Sequence, residues 1–250
     1  MKSAYKTLST QVYQLDKPIG KSFGDIEFYQ QVLSSVKGKV LEPACGNGRI
    51  LVPIFNAGID IEGFDLSEDM LKTLTSYIED HKLALNVWHD DMTTFQTNHQ
   101  YEAIVLPAGS FMLLNTENLA KKALNRFYEV LHPGGKLFID IYLSGGLQIG
   151  DTDVRTFRVD DATTINLKMV VKDYDDKENV FTSEHVYKQY TNDILRESER
   201  EVFPLKFYTL DTFKTLLSCS GFSNIITHKN YGKDVHKQPA MYTFEASKSY

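Results

Sequence analysis

Three carboxylates and two glycines in the first half of the chain have the types and spacing to hold a nucleoside. Glu42 follows the apolar run Val40-Leu41, and Asp65 closes a second run, Ile61 to Phe64. Asp91 follows a third, Leu83 to Trp88. Between Glu42 and Asp65 lies a turn of small residues, Pro43-Ala44-Cys45-Gly46-Asn47-Gly48. Gly46 and Gly48 can adopt dihedrals that a Cβ forbids, and they let a ligand approach the backbone. The helix expected after the turn presents free N–H groups to an anion. Asp65, at the end of a second strand, is placed to accept from two ribose hydroxyls.

The same residues narrow the ligand. A dinucleotide site wants a third glycine three residues after the second, where this chain has Leu51. Glu42 would also repel a diphosphate. A ligand with a carboxylate, an ammonium, a sulfonium and an adenosine but no phosphate suits the turn better, and S-adenosylmethionine is that ligand. A nicotinamide oxidoreductase is the weaker alternative, because it conflicts with Leu51 and Glu42. A module that senses S-adenosylmethionine without transferring its methyl group is another.

These residues need a scaffold, and the rest of the sequence supplies its pattern. Asp25 can cap a helix carrying Ile26, Phe28, Tyr29, Val32, Leu33 and Val36. Strands are expected at Lys39–Glu42, Ile59–Phe64, Leu83–Trp88, Glu102–Leu106 and Lys136–Tyr142, with a turn at His132-Pro133-Gly134-Gly135 before the last. Helices are expected between them: Arg49–Asn56, one capped by Ser67 and one capped by Thr116. This alternation predicts a mostly parallel sheet with helices on both faces. Ligands bind such a sheet at the carboxyl ends of its strands, where Glu42, Gly46, Asp65, Asp91 and Leu106 all fall.

From Gly150 the rhythm changes to period-2 runs, Thr152–Val159, Thr163–Tyr174, Val180–Tyr190 and Ile194–Phe203. Asp160-Asp161, Asp175-Asp176-Lys177 and Thr191-Asn192-Asp193 separate them, which predicts an antiparallel meander. A helix begun by Thr209 or Asp211 and strands at Phe222–Lys229 and Ala240–Ala246 complete the sheet. The expected organisation is an N-terminal helical lid over 1–36, a nucleotide-binding domain over 37–149 and 204–250, and a β insert over 150–203. The insert is expected to cover a substrate pocket or to form a subunit contact.

The turn and its flanking acids resemble the first motif of the class I methyltransferases, an acid followed by x-small-x-Gly-x-Gly. It stands here as Glu42-Pro43-Ala44-Cys45-Gly46-Asn47-Gly48, with Ala44 at the first glycine of the usual pattern. The resemblance covers Lys39–Tyr142 by motif and Leu205–Ala246 by layout. It implies a Rossmann-like seven-stranded sheet whose last strand is antiparallel, with S-adenosylmethionine as cofactor. It also implies roles. Glu42, Ala44, Gly46, Asn47 and Gly48 would line the methionine end, and Asp65 would hold the ribose. Leu66 and Met70 would pack on the adenine. Asp91, with the Met92 backbone beside it, would take the adenine amino group, and Leu106 would offer a carbonyl to the methionine ammonium.

The β insert and the aromatic N-terminal segment resemble small-molecule members such as sugar N-methyltransferases. Those tend to carry a histidine after the fourth strand, where this chain reads Gly109-Ser110-Phe111-Met112-Leu113-Leu114-Asn115. The Asn/Asp-Pro-Pro-Tyr signature of DNA- and amide-directed enzymes is replaced by Leu106-Pro107-Ala108-Gly109. The expected activity is in-line methyl transfer to a nitrogen or oxygen of a small-molecule acceptor. No general base is identifiable. His185 and His228 fall on strand patterns, His132 reads as structural, and Tyr13, on the lid, is the candidate nearest the reacting centre.

Composition bounds the partners. The 250 residues are 42% hydrophobic, with a net charge of −6. That balance argues against a nucleic-acid partner, which needs a basic face. No apolar run is long enough to span a bilayer. Two cysteines, Cys45 and Cys219, make no disulfide framework, so the cytoplasm is the expected compartment. No metal is expected, and a homodimer is allowed.

Overall fold

The computed structural model describes residues 5–143, 146–232 and 240–249. Residues 1–4 of the expected lid lie outside that set. The chain opens with helices α1 (Thr7–Asp16) and α2 (Asp25–Leu33). It then alternates through β1 (Val40–Pro43), α3 (Leu51–Asn56), β2 (Ile61–Asp65), α4 (Glu68–Asp80), β3 (Val87–His89), β4 (Tyr101–Leu106), α5 (Glu117–Val130) and β5 (Leu131–Tyr142). Four strands follow: β6 (Thr152–Arg158), β7 (Thr163–Asp175), β8 (Val180–Thr191) and β9 (Ile194–Lys206). Helix α6 (Leu210–Cys219), β10 (Phe222–Lys229) and β11 (Met241–Lys248) end the chain.

The larger sheet has seven strands in the order β10-β11-β5-β4-β1-β2-β3. Strands β1 to β5 pair in parallel, and β11 runs antiparallel to both its neighbours. Side-chain alternation sends residues of one strand to opposite faces. Ile104 and Leu106 join the core under α5 and α6, while Ala103 and Val105 join the core under α2, α3 and α4. The helix starts follow local chemistry. Ser67 accepts from the Met70 amide, Thr116 accepts from the Leu119 amide, and Thr209 and Thr212 form a reciprocal capping box.

Several expected boundaries move. Strand β3 is three residues, Val87–His89, where Leu83–Trp88 was expected; among the described residues it lies at the edge of the sheet, beside β2. Asp25 is the first helical residue of α2, and Gly24 holds the cap position at φ 98°. The Asp25 carboxylate is needed elsewhere, as described below. The expected turn at His132–Gly135 falls within the bounds of β5, and the chain turns there at Gly134, φ +79°. The pairing shifts register between Tyr101↔Leu131 and Ala103↔Lys136, so the extra residues form an irregularity in the ladder.

The insert is a four-stranded antiparallel meander, β6-β7-β8-β9. Asn192 and Asp193 both have positive φ, 49° and 63°, which suits the tight β8–β9 hairpin. Helix α1 packs against β6, β8, β9 and α4. Its Leu8 and Val12 share an apolar cluster with Ile165, Leu167 and Tyr187 of the insert. Among the described residues no helix is long and apolar enough to cross a membrane.

Candidate functional site

The strand ends, α1 and the inner face of the meander enclose a cavity of about 1080 Å³. Sites for one small molecule span roughly 300–1,000 Å³, so this one has room for two. Of the residues singled out from the sequence, Tyr13, Ala44, Gly46, Asp65, Leu66, Met70 and Met92 line it. Glu42, Asn47, Gly48, Asp91 and Leu106 do not, and Asp90 rather than Asp91 faces the cavity. Asp91 turns its Oδ1 to the amide and hydroxyl of Thr93, at 2.8 and 2.7 Å. Leu106 is fully buried beside Ile139.

The turn after β1 divides its labour. Gly46 has φ +57°, a Cβ there would meet open space, and its amide donates to Asp65 Oδ2 at 2.7 Å. Gly48 has φ +81°, and a Cβ there would collide with Leu74 of α4. Gly46 therefore keeps the cavity open, while Gly48 lets α4 pack against the turn. Ala44 at the end of β1 and Ala108 after β4 are both left-handed, at φ 56° and 57°, and both line the cavity. Such non-glycine strain persists where the surroundings over-determine it, commonly at functional sites. Asn47 is buried: its Oδ1 accepts from the Arg49 amide, and its Nδ2 donates to the Lys17 carbonyl, tying the end of α1 to the turn.

Asp65 accepts from Gly46 on one oxygen and from the Ser67 amide, at 2.7 Å, on the other. Burial pushes its carboxyl up, and these backbone donors pull against that. Glu42 is buried beneath the turn, and its Oε2 has no hydrogen-bond partner among the described residues. Burial pushes the Glu42 carboxyl well above the ordinary range, with Arg49 opposing. Arg49 Nη2 meets Asp25 Oδ2 at 2.7 Å, and Nη1 donates to the Lys21 carbonyl at 2.7 Å. Burial raises the Tyr13 phenol, and the neighbouring Arg49 opposes the rise.

Two groups of residues were not placed at the site from the sequence, where His185 was read as a histidine on a strand pattern. Asp140, fully buried on β5, accepts from Tyr29 Oη (2.9 Å), Tyr231 Oη (2.7 Å), Thr243 Oγ1 (2.6 Å) and the Ala108 amide (2.9 Å). It thereby anchors the cavity loop after β4. Its only trace in the sequence is an acid inside the apolar run Leu137–Tyr142. The second group comes from the insert. His185, Tyr187, Glu201 and Phe203 line the cavity opposite the strand ends, with Tyr5 alongside. His185 is held neutral by burial, its pKa pushed down to about 4, and it contacts Ser183 Oγ at 2.9 Å and Tyr187 Oη at 3.4 Å. His228 pairs with Glu245 at 3.1 Å and does not line the cavity.

The two roof elements are joined. Glu199 of β9 accepts from the Leu8 and Ser9 amides, each at 2.9 Å, and Glu201 accepts from the Lys6 amide at 3.0 Å. Carboxylates from the insert thus satisfy the free amides at the N-terminus of α1. Further along, Gln14 bonds Thr73 of α4, and Asp16 pairs with Arg155 of β6 at 3.1 Å.

Comparison with known proteins agrees with this architecture. Residues 40–135 match the model of a family described as a methyltransferase domain. YqeM of Bacillus subtilis (strain 168), a methyltransferase by name, is 30% identical over 108 residues, which cover 43% of this chain and 44% of that protein. The chain thus spans less than half the length of the curated relatives it matches. A S-adenosylmethionine-dependent methyltransferase from Clostridium acetobutylicum ATCC 824 superposes with a TM-score of 0.78 at 17% identity, covering 96% of this chain and 97% of that one. The sugar N-methyltransferase KedS8 from Streptoalloteichus sp ATCC 53650 gives 0.78 at 19% identity, covering 100% and 96%. The chain shares the fold of these methyltransferases.

Proposed function

We propose that this chain binds S-adenosylmethionine over the carboxyl ends of β1 and β2 and transfers its methyl group to a small-molecule acceptor held under the insert. The observation that carries this is the cavity itself. It is large enough for two molecules, with a turn-and-carboxylate wall on one side and an aromatic wall from the insert on the other. The relatives named as methyltransferases support the same reading.

The residues present suit that cofactor. Glu42 is buried beneath the turn and does not line the cavity, so Asp65 is the carboxylate of this wall that meets a ligand directly. A carboxylate offers about four lone-pair sites, so Asp65 retains capacity for the ribose diol while bonded to Gly46 and Ser67. Leu66, Met70 and Met92 give an apolar bed for a base, and the open side of Gly46 admits the ligand to the backbone. The cofactor supplies a methyl group already activated on sulfur. The chain's work is to orient donor and acceptor and exclude water, and well-oriented proximity is worth roughly 7–11 kcal/mol. Helix α1 with Tyr13, and the insert, form the roof that excludes solvent.

Calorimetric titration with S-adenosylmethionine and with NAD tests this. S-adenosylmethionine should bind and NAD should not. Asp65→Ala should weaken binding by roughly 1.5–3 kcal/mol, the range for hydrogen bonds to a charged group. Tight NAD binding, or no binding of S-adenosylmethionine, would overturn the reading. Binding without methyl transfer to any of a broad panel of amines, alcohols and carboxylates would favour a sensor.

A further inference from the structure

Charge is spread unevenly around the cavity. Its charged side chains come from the ends of β2 and β3, from α1 with its flanking lysines, and from β6 and β9 up to Glu201. Those of the insert are engaged: Arg155 pairs with Asp16 at 3.1 Å, Arg200 with Glu184, and Glu201 accepts from the Lys6 amide at 3.0 Å. Three other segments reach the cavity: 108–119 after β4, 142–147 at the end of β5, and 202–207 at the end of β9. Among the described residues, none of these brings a charged side chain to it.

What they bring is apolar: Leu113 and Leu119, Leu143 and Leu147, Leu205 and Phe207. The segments converge. The single 3-10 turn Ser110–Leu113 packs against β5 and β9, and Leu119, Tyr142 and Leu205 pack on the same core as Phe207. Gly109, at φ +79°, lets the Tyr142 ring close over the loop, where a Cβ would collide with it. Polar side chains are few at this end. The Ser110 hydroxyl donates to the Pro107 carbonyl at 3.1 Å, which leaves Asn115 and Tyr142. Leucines that face an open chamber leave apolar surface in water, and a ligand that covers it is stabilised by the area removed. A polyol or an ion would lose its hydration there and find few partners.

We propose that the methyl acceptor has an apolar, uncharged body that seats on this patch over the ends of β4 and β5. This rests on the methyltransferase reading above and names the substrate class of that site. The sheet order β5-β4-β1-β2 puts the patch directly beside the place given to the cofactor over β1 and β2. The apolar body lies against the leucines, and Asn115 and Tyr142 are left to meet a polar group that it carries. An unprotected sugar, with a hydroxyl on most of its ring carbons, does not suit the patch. Each hydroxyl buried there without a partner weakens binding.

Saturation-transfer NMR titrations with cyclohexanol and methyl glucopyranoside, alike in ring size, test this on the full chain with S-adenosylhomocysteine present. Cyclohexanol should bind more tightly by about tenfold or more. Along n-butanol, n-hexanol and n-octanol the affinity should rise about three- to fourfold per methylene, the worth of burying one. Leu113→Asn and Leu205→Asn should each flatten that rise. Glucoside binding as tight as that of cyclohexanol, or an affinity that stays level along the alcohols, overturns the proposal without any variant. So does a rise unchanged in both variants once thermal unfolding shows them folded, because the alcohols would then sit elsewhere. Binding of S-adenosylhomocysteine itself, read by calorimetry, tests the methyltransferase reading separately. Its failure removes that reading, whereas a glucoside preference with the nucleoside bound removes only this proposal.

Discussion

Asp140 should make the stability of this protein fall as pH rises through 6. Its carboxyl is fully buried among Tyr29, Tyr231, Thr243 and the Ala108 amide, and burial pushes its pKa up to about 6 against the pull of those donors. An unfolded aspartate titrates near ~3.9. The folded state therefore holds the proton more tightly. Its contribution is fully present below ~3.9, declines as pH rises, and is gone above the folded value near 6. A difference of about two pH units corresponds to about 3 kcal/mol, of which about 2 kcal/mol falls between pH 4.5 and 7.5. Asp140→Asn has no proton to lose. It also presents a donor, at one of its two positions, to groups that now donate to Asp140, so it should be less stable than wild type at pH 4.5. Urea denaturation of both proteins across this range isolates the effect, because other carboxylates cancel in the difference. The gap between wild type and variant should narrow by about 2 kcal/mol from pH 4.5 to 7.5. A gap that stays constant within about 0.5 kcal/mol, below the worth of one hydrogen bond, would show that Asp140 is ionised throughout and refute the reasoning.

Other perturbations read other parts of the site. Arg49→Met leaves Asp25 buried without its cation and should destabilise by about 3–5 kcal/mol, whereas Arg49→Met with Asp25→Leu should recover most of that in urea denaturation. Gly48→Ala should lower stability by roughly 1–3 kcal/mol through its collision with Leu74, read as a fall in Tm. Gly46→Ala should instead weaken S-adenosylmethionine binding by calorimetry with a smaller loss of Tm, because its Cβ meets no protein atom. Hydrogen exchange should show the amides of α1 slowed by S-adenosylmethionine together with those of Gly46–Arg49. Protection of the turn alone would remove α1 and Tyr13 from the site.

The parts of this fold that were legible in the sequence are those written locally. The strand-ending position of Asp65, the caps Ser67 and Thr116, and the Asn192-Asp193 hairpin each depend on neighbours a few residues away. Asp140 was not legible, because its partners come from Tyr29, Ala108, Tyr231 and Thr243, spread over most of the chain. Glu201 was hidden for a different reason. The run Arg196-Glu197-Ser198-Glu199-Arg200-Glu201 reads as a solvated strand, and only the docking of α1 turns one of its faces inward. Gly48 was read as a ligand-approach glycine. The pattern of small residues is the same whether the close neighbour is a ligand or, as here, Leu74 of α4.

The junction of α1 with β9 also sets an order of assembly. The Leu8 amide finds its acceptor on Glu199, 191 residues further along the chain. Residues leave the ribosome in sequence at about 5–20 per second, so α1 waits on the order of ten seconds or more for the strand that caps it. A helix of ten residues is marginal alone in water. During that wait the strand ends of the larger sheet can pair and pack, but the chamber above them has no ceiling. Strands β1 to β5 therefore emerge before the ceiling, β10 and β11 after it, and the pocket comes into being only once the chain has emerged through β9, which ends at Lys206 of 250 residues.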